Sequence, residues 1–304
     1  MKLEDFFTNG DIPQIGFGPG SVGYSPKMKK KKEGFFLFLD KVQNKLYRRR
    51  LAQNKYIDSV SSALQQGFRL IDYSSAYGDG SLIGRAIKKS GIARSELLLT
   101  TRVSNDAQRK HCVREEFFKC LDGFGTDYVD ILQFHWPVTD VYLDTWREME
   151  KLYEEGYVKH LGVANCHQHH LEAIFAICKH RPEVGQFEIH PLFTQKPLIE
   201  YYKSQNILVE AYTPLARYDD RLVRLPLLKR LEQKYHKNFV QIILRWHVQN
   251  EIVPLVRCLS KLHQKNNIDI FDFELDTEDM ALIDGININS RLRYDPDNCD
   301  FSIL

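Results

Sequence analysis

Seven β-rich runs alternating with amphipathic stretches, one further strand near the start, and no G-x-G-x-x-G turn after an early strand predict an α/β fold closed as a (β/α)8 TIM barrel. The runs are FRLIDYS, LLLTTRV, VDILQFHW, VKHLGVANC, VGQFEIHP, ILVEAYTPL and IVPLVRCL. Between them, SLIGRAIKKSG, REEFFKCLDGFG, TWREMEKLYEEG and PLIEYYKSQN carry apolar residues at helical spacing. Several end in Gly or Asn, which suits a helix stop. GDIPQIGFGPG supplies the eighth strand, and residues 1–304 are read as one barrel domain. An open doubly wound sheet is the alternative, and its usual glycine fingerprint is absent.

The composition narrows the function. With 43% hydrophobic and 27% charged residues the chain has the profile of a soluble globular protein. Lys and Arg total 42 against 40 Asp and Glu, a formal net charge of +2, so nucleic-acid binding by the whole surface is not expected. Apolar runs such as FFLFL are far too short for a membrane span. The N-terminus has early acidic residues and no apolar core of a secretory signal. Six scattered cysteines without a C-x-x-C pair read as reduced packing thiols, and the expected compartment is the cytoplasm. Residues 24–53 interrupt the rhythm as a basic insertion between the first strand and its helix, read as a solvated helical excursion.

In a βα barrel, reactive side chains project from the C-terminal ends of strands. The second strand ends in Asp72, with Tyr77 five residues on in IDYSSAYG, the third in Arg102 and the fourth in His135. Asn165, Gln186 and His190 follow the fifth and sixth. A guanidinium cannot be neutralised inside a protein, so Arg102 requires water, a carboxylate or a bound anion. A carboxylate, a phenol, a cation and an imidazole on adjacent strands make a plausible proton-donating cluster. Each alone also fits a cap or a structural role; their coincidence at successive strand ends favours a site.

The stretches IPQIGFG, GFRLIDYSSAYGDGSLIGRAIKKSGIARSELLLTTR, GTDYVDILQFHWP, GYVKHLGVANC, VGQFEIHP, AYTPLA and FDFELDTEDMALID, in that order, resemble the aldo-keto reductase superfamily over nearly the whole chain. The resemblance implies an eight-stranded barrel with an N-terminal β-hairpin, here with the basic insertion after the first barrel strand. It also implies NADPH-dependent reduction of a small carbonyl substrate, with Tyr77 as proton donor. The family's tetrad of Asp, Tyr, Lys and His falls on Asp72, Tyr77, Arg102 and His135, so an arginine stands where the family has lysine. That exchange keeps the charge and changes its shape and its ability to titrate.

By the same resemblance, Asn165 and Gln186 hold the nicotinamide carboxamide, and Tyr212 stacks under the ring. The Thr213–Leu215 backbone approaches the pyrophosphate, while Arg257, Cys258, His263 and Asn267 surround the adenosine 2′-phosphate and adenine. Arg257 favours NADPH over NADH. Ala164 replaces a family serine. Gly20 and Ser104 stand where the family has aromatic rings, so of the usual aromatic substrate wall only Trp136 remains. The expected substrate positions are Trp136 and Ser104, in a widened, more polar pocket. The HQHH cluster at 167–170 is read as solvent-facing, with no carboxylate or cysteine at ligand spacing and no metal expected. Two other functions fit the same residues: an NADPH-binding sensor or scaffold that turns over little, and an interaction module built on the basic insertion. No nucleic-acid or membrane partner is expected, and the sequence sets no oligomeric state.

Overall fold

Side chains alternate between the two faces of a strand, so a closed barrel puts every second residue on its axis and the rest under its helices. The structure is a computed structural model that describes residues 14–22 and 38–301. Strands β1 (Gly16–Phe17), β2 (Leu70–Asp72), β3 (Leu98–Val103), β4 (Val129–Phe134), β5 (Val158–Ala164), β6 (Val184–Glu188), β7 (Leu208–Tyr212) and β8 (Ile252–Val256) pair in chain order. All pairs are parallel, and β1 closes the barrel on β8 with Gly16 opposite Leu255. This is the (β/α)8 barrel that the sequence predicts.

The helices are α1 (Phe38–Gln65), α2 (Ser81–Ser90), α3 (Asn105–Arg109), α4 (Val113–Phe124), α5 (Tyr142–Glu154) and α6 (Gln168–Phe175). After them come α7 (Lys196–Ser204), α8 (Asp220–Val223), α9 (Pro226–Tyr235), α10 (Phe239–Gln249), α11 (Lys261–Ile268) and α12 (Thr277–Asp284). Their apolar stripes pack onto the outward faces of the strands in one large core that includes Phe17, Val60, Leu82, Phe117, Trp146 and Ile242. None of these helices is long and apolar enough to cross a membrane.

Two layers fill the barrel axis. Leu70, Leu98, Ile131, Val184, Val253 and Leu255 form an apolar floor. Gly16 makes room for it, since a Cβ there would lie 2.8 Å from a Leu70 methyl. Two residues further along the same strands stand Asp72, Thr100, Gln133, Gln186 and, from β7, Glu210, all buried. This polar layer therefore stands above a dry base, and Asp72 and Gln186 in it reach the cleft at the C-terminal mouth.

The insertion differs from its expected boundaries. Its C-terminal part is not a separate excursion: residues 38–65 form one continuous helix, in which Arg49, Arg50 and Leu51 are exposed and Tyr56, Ile57, Val60, Ala63 and Leu64 are buried. Among the residues of α1 whose burial is described, the buried apolar face begins at Tyr56. Residues 24–37 and the N-terminal β-hairpin lie outside the described residues.

Candidate active site

Tyr77 is placed by a short 3-10 turn, Ser75–Tyr77, directly after β2. The Ser74 hydroxyl accepts from the Ala76 N–H at 3.3 Å, and Ser75 Oγ donates to the Arg102 carbonyl at 3.0 Å, so the turn is tied to β3. Arg102 is 1% exposed. Its NH1 donates to Asp72 Oδ1 and to Gln186 Oε1 (2.7 Å), and its NH2 to Asp72 Oδ2 (2.9 Å) and the Tyr77 hydroxyl (3.1 Å). All four terminal N–H groups are thereby used. The remaining donor, Nε, is buried with no partner among the described residues. Burial works against the charge of Arg102, but the Asp72 and Tyr77 oxygens outweigh it and hold the guanidinium protonated well above its usual range.

The network extends deeper. Gln186 Nε2 donates to Asp72 Oδ1 at 3.1 Å and to Glu210 Oε2 at 2.9 Å, and Gln133 Nε2 donates to the same Glu210 oxygen at 3.2 Å. Glu210 is completely buried. Burial first, then the negative charge of Asp72, pushes its carboxyl up to about 7, against the hydrogen bonds from Gln186 and Gln133. Gly162 admits this layer: a Cβ there would meet Gln133 Cγ at 3.0 Å and the Val184 carbonyl at 2.8 Å.

His135 follows β4, its ring edge-on to Tyr77 with centroids 5.8 Å apart. The residue is partly exposed where it lines the cleft, yet burial, followed by the charges of Arg102 and Arg293, lowers its pKa to about 3. The imidazole is therefore neutral at physiological pH and can orient a carbonyl without serving as a charged acid. Asn165, in a left-handed conformation (φ 59°) that asparagine tolerates, donates to the His135 carbonyl at 2.9 Å and accepts from the Tyr212 hydroxyl at 2.7 Å.

A cleft of about 720 Å³ opens over these groups. Asp72, Tyr77, His135, Trp136, Asn165, Gln186, Tyr212, Thr213, Leu215 and Arg257 all line it. At the far end, Arg257 donates to the Ser21 carbonyl at 3.3 Å, and Gly20 (φ 62°) lies so close that a Cβ would meet the guanidinium carbon at 3.3 Å. Thr213 Oγ1 is buried without a partner among the described residues, beside a run of left-handed residues at 216–218. An orphan hydroxyl on the loop after β7 and an arginine beyond it suit the phosphates of a dinucleotide.

Of the expected residues, Arg102 does not line this cleft itself but reaches it through Asp72 and Tyr77, and four others are not brought to it. Ser104 is a correction: it caps α3, accepting from the Ala107 N–H at 3.1 Å and donating to Glu116 Oε2 at 2.6 Å. A strand-end serine preceding a helix satisfies the helix N-terminus, and its hydroxyl is used there. Cys258, His263 and Asn267 stand beyond the cleft lining, on and before α11. Cys258 is buried and donates to the Ser260 carbonyl at 3.3 Å, His263 is exposed, and Asn267 is buried.

The structure also adds residues that were missed. Glu210 carried a signal, a carboxylate inside the apolar run ILVEAY. Arg217, Tyr218, Leu259 and Arg293 line the cleft from loops whose sequences look like ordinary solvated surface. The reading of HQHH needs correction too. His170 is buried, and Asp297 from the C-terminal segment lies 2.7 Å from His167 Nδ1 and 3.3 Å from His169 Nε2. Arg291 donates to His167 Nε2 at 3.2 Å, and the His167 N–H donates to His170 Nδ1 at 3.1 Å. Those ring nitrogens are committed to protein partners, and the cluster clamps the C-terminal segment to α6.

A closed βα barrel thus sets a cation-linked phenol and a neutral imidazole at a cleft on its C-terminal mouth. The Aldo/keto reductase family model matches residues 41–288, and the chain belongs to that family. It is 39% identical over 248 residues to the glyoxal reductase of Bacillus subtilis, covering 82% of this chain and 89% of that protein. Among solved structures, an aldo-keto reductase from a deep-sea metagenome library superposes with a TM-score of 0.82 at 33% identity, over 95% of this chain and 96% of that one. A Bombyx mori aldo-keto reductase in complex with NADP gives 0.78 at 26% identity, over 94% and 92%.

Proposed function

We propose that this protein reduces an aldehyde or ketone to its alcohol with NADPH, Tyr77 giving the proton. The observation that carries this reading is the hydrogen bond from Arg102 to the Tyr77 hydroxyl, held in register by the bidentate pair with Asp72. As the phenolic proton leaves for the carbonyl oxygen, negative charge grows on the Tyr77 oxygen and meets a cation already aimed at it. Neutral His135 orients the carbonyl, and Trp136 excludes water from one wall. The reduced nicotinamide, when bound, supplies the hydride to the carbonyl carbon. Asn165, Gln186 and Tyr212 hold its ring end, and Thr213 and Leu215 its pyrophosphate. Arg257 meets the 2′-phosphate, with Cys258, His263 and Asn267 beyond it. The glyoxal reductase relative and the NADP complex of the silkworm protein support the same reading. We place the chain in the cytoplasm, where its six free cysteines stay reduced.

The test is NADPH binding followed by fluorescence, then NADPH oxidation against a panel of aldehydes and dicarbonyls. Tyr77→Phe removes only the acid, so turnover falls by about a hundredfold or more while NADPH affinity holds. A native protein that binds NADPH tightly and oxidises it with no carbonyl would be the sensor instead.

A further inference from the structure

Arg293 belongs to the segment that returns across the mouth after α12. Two backbone N–H groups of this segment, Leu292 and Arg293, donate to the Glu188 carboxylate at 2.8 and 2.9 Å. Glu188 is itself buried at the end of β6 and bonded to His190 Nε2 at 3.0 Å. The segment is thus anchored at the residue itself. Its two arginines diverge: Arg291 turns away, over the Phe193 ring and onto His167, whereas Arg293 lines the cleft with His135, Trp136 and Tyr212.

No carboxylate among the described residues pairs with the Arg293 guanidinium, whose nearest ring, Tyr294, lies 5.5 Å away. Among the described residues, Asp72 is the one acidic residue lining the cleft, and both its oxygens accept from Arg102. Arg257 and Arg217 lie toward the end assigned to the cofactor phosphates. Arg293 stands instead beside the imidazole and indole that flank Tyr77, and its charge is one of the influences that keep His135 neutral. A guanidinium with no carboxylate partner among the described residues, on backbone anchored beside the cleft, offers a planar fork suited to a carboxylate.

We infer that the cleft selects carbonyl compounds bearing a carboxylate, which Arg293 binds while the carbonyl reaches Tyr77. This rests on the carbonyl-reducing reading and names its substrate class. A single cation fits a carboxylate better than a phosphate dianion, which calls for several donors.

The experiment compares 4-carboxybenzaldehyde with its neutral methyl ester, methyl 4-formylbenzoate, as substrates of the full chain with NADPH. The native protein is expected to prefer the acid. In Arg293→Gln the acid-to-ester ratio of kcat/KM falls about ten- to a hundredfold, through the KM of the acid. Arg293→Lys retains an intermediate ratio, and Arg293→Glu drives it lower than Gln does. NADPH affinity, measured alongside, reports that each variant is folded. A ratio that is unchanged in Arg293→Gln and Arg293→Glu overturns the inference and leaves carbonyl reduction standing. Failure of the native protein to reduce either aldehyde instead removes the functional reading, and the inference with it.

Discussion

A guanidinium carries five N–H donors in a rigid fork, and an ammonium carries three on a flexible stem. Arg102 uses four of its donors on Asp72, Gln186 and Tyr77, more than a lysine could serve at once. Arg102→Lys is therefore expected to keep the Asp72 pair and release Gln186 towards the cleft. Carbonyl reduction should be kept or raised, and its pH dependence should shift, because an ammonium can titrate. Arg102→Met leaves Asp72 buried and unpaired. It should cost about 3–5 kcal/mol in urea unfolding and cut the rate sharply. A Met variant as fast and as stable as the parent would show that Arg102 has no part in the proton donor.

Glu210 supplies a second prediction at the same scale. Its folded pKa of about 7 lies above the ordinary 4.5, so the fold favours the protonated form. The stability it contributes is complete below its ordinary pKa and is lost as pH rises through about 7. Relative to Glu210→Gln, the native protein should lose up to about 3 kcal/mol over that window, read by denaturation at a series of pH values. Ionised Glu210 also sets a second negative charge near Arg102, so kcat/KM should fall on the same limb and flatten in the variant. His135, lowered to about 3, should contribute no limb in the neutral range. Asp72, Arg102 and His135 were legible because they stand at or next to strand ends, with Tyr77 on the turn after β2, and strand ends can be read from local apolar runs. The Gln186 and Glu210 links were not, because both partners lie inside strands whose rotation about the axis only closure defines.

At the scale of elements, sequence pattern located the eight strands and helices α2, α4, α5 and α7, since one buried face imposes a period of 2 or 3.6 on any ten residues. Packing between helices left fainter marks. Helices α2 and α4 approach at Gly84, where a Cβ would lie 2.5 Å from the Gly123 carbonyl oxygen and 2.6 Å from that of Phe124. Backbone cannot yield as a flexible side chain does, so Gly84→Ala should destabilise the protein by about 1–3 kcal/mol, lowering Tm by several degrees. The insertion was legible as a break in rhythm, but its end at residue 53 was not, because helix α1 crosses that point without a break. None of the described residues of that insertion lines the cleft.

Over the whole molecule, the C-terminal segment closes the site. Glu188 holds its backbone, Asp297 joins it to the α6 histidines, and Phe301 packs with Val138 against Trp136, which is 3% exposed. Removing residues 291–304 should leave the barrel's far-ultraviolet dichroism nearly intact, because the strands and their helices bury their core without it. Trp136 should then be wetted, shifting the tryptophan emission to the red. Unshifted emission would mean that this segment does not cover the indole.

What the sequence determined by itself is the order of strands and helices and the polar residue at each strand end, properties set by neighbours a few positions apart. What only the tertiary structure decided is which of those residues meet. Arg102 and Gln186 are 84 residues apart, Gln186 and Asp72 are 114 apart, and Glu188 reaches Arg293 across 105. No local propensity encodes such pairs: they form because closing β1 onto β8 turns one face of every strand to a common axis, and the chain's last segment returns over its mouth.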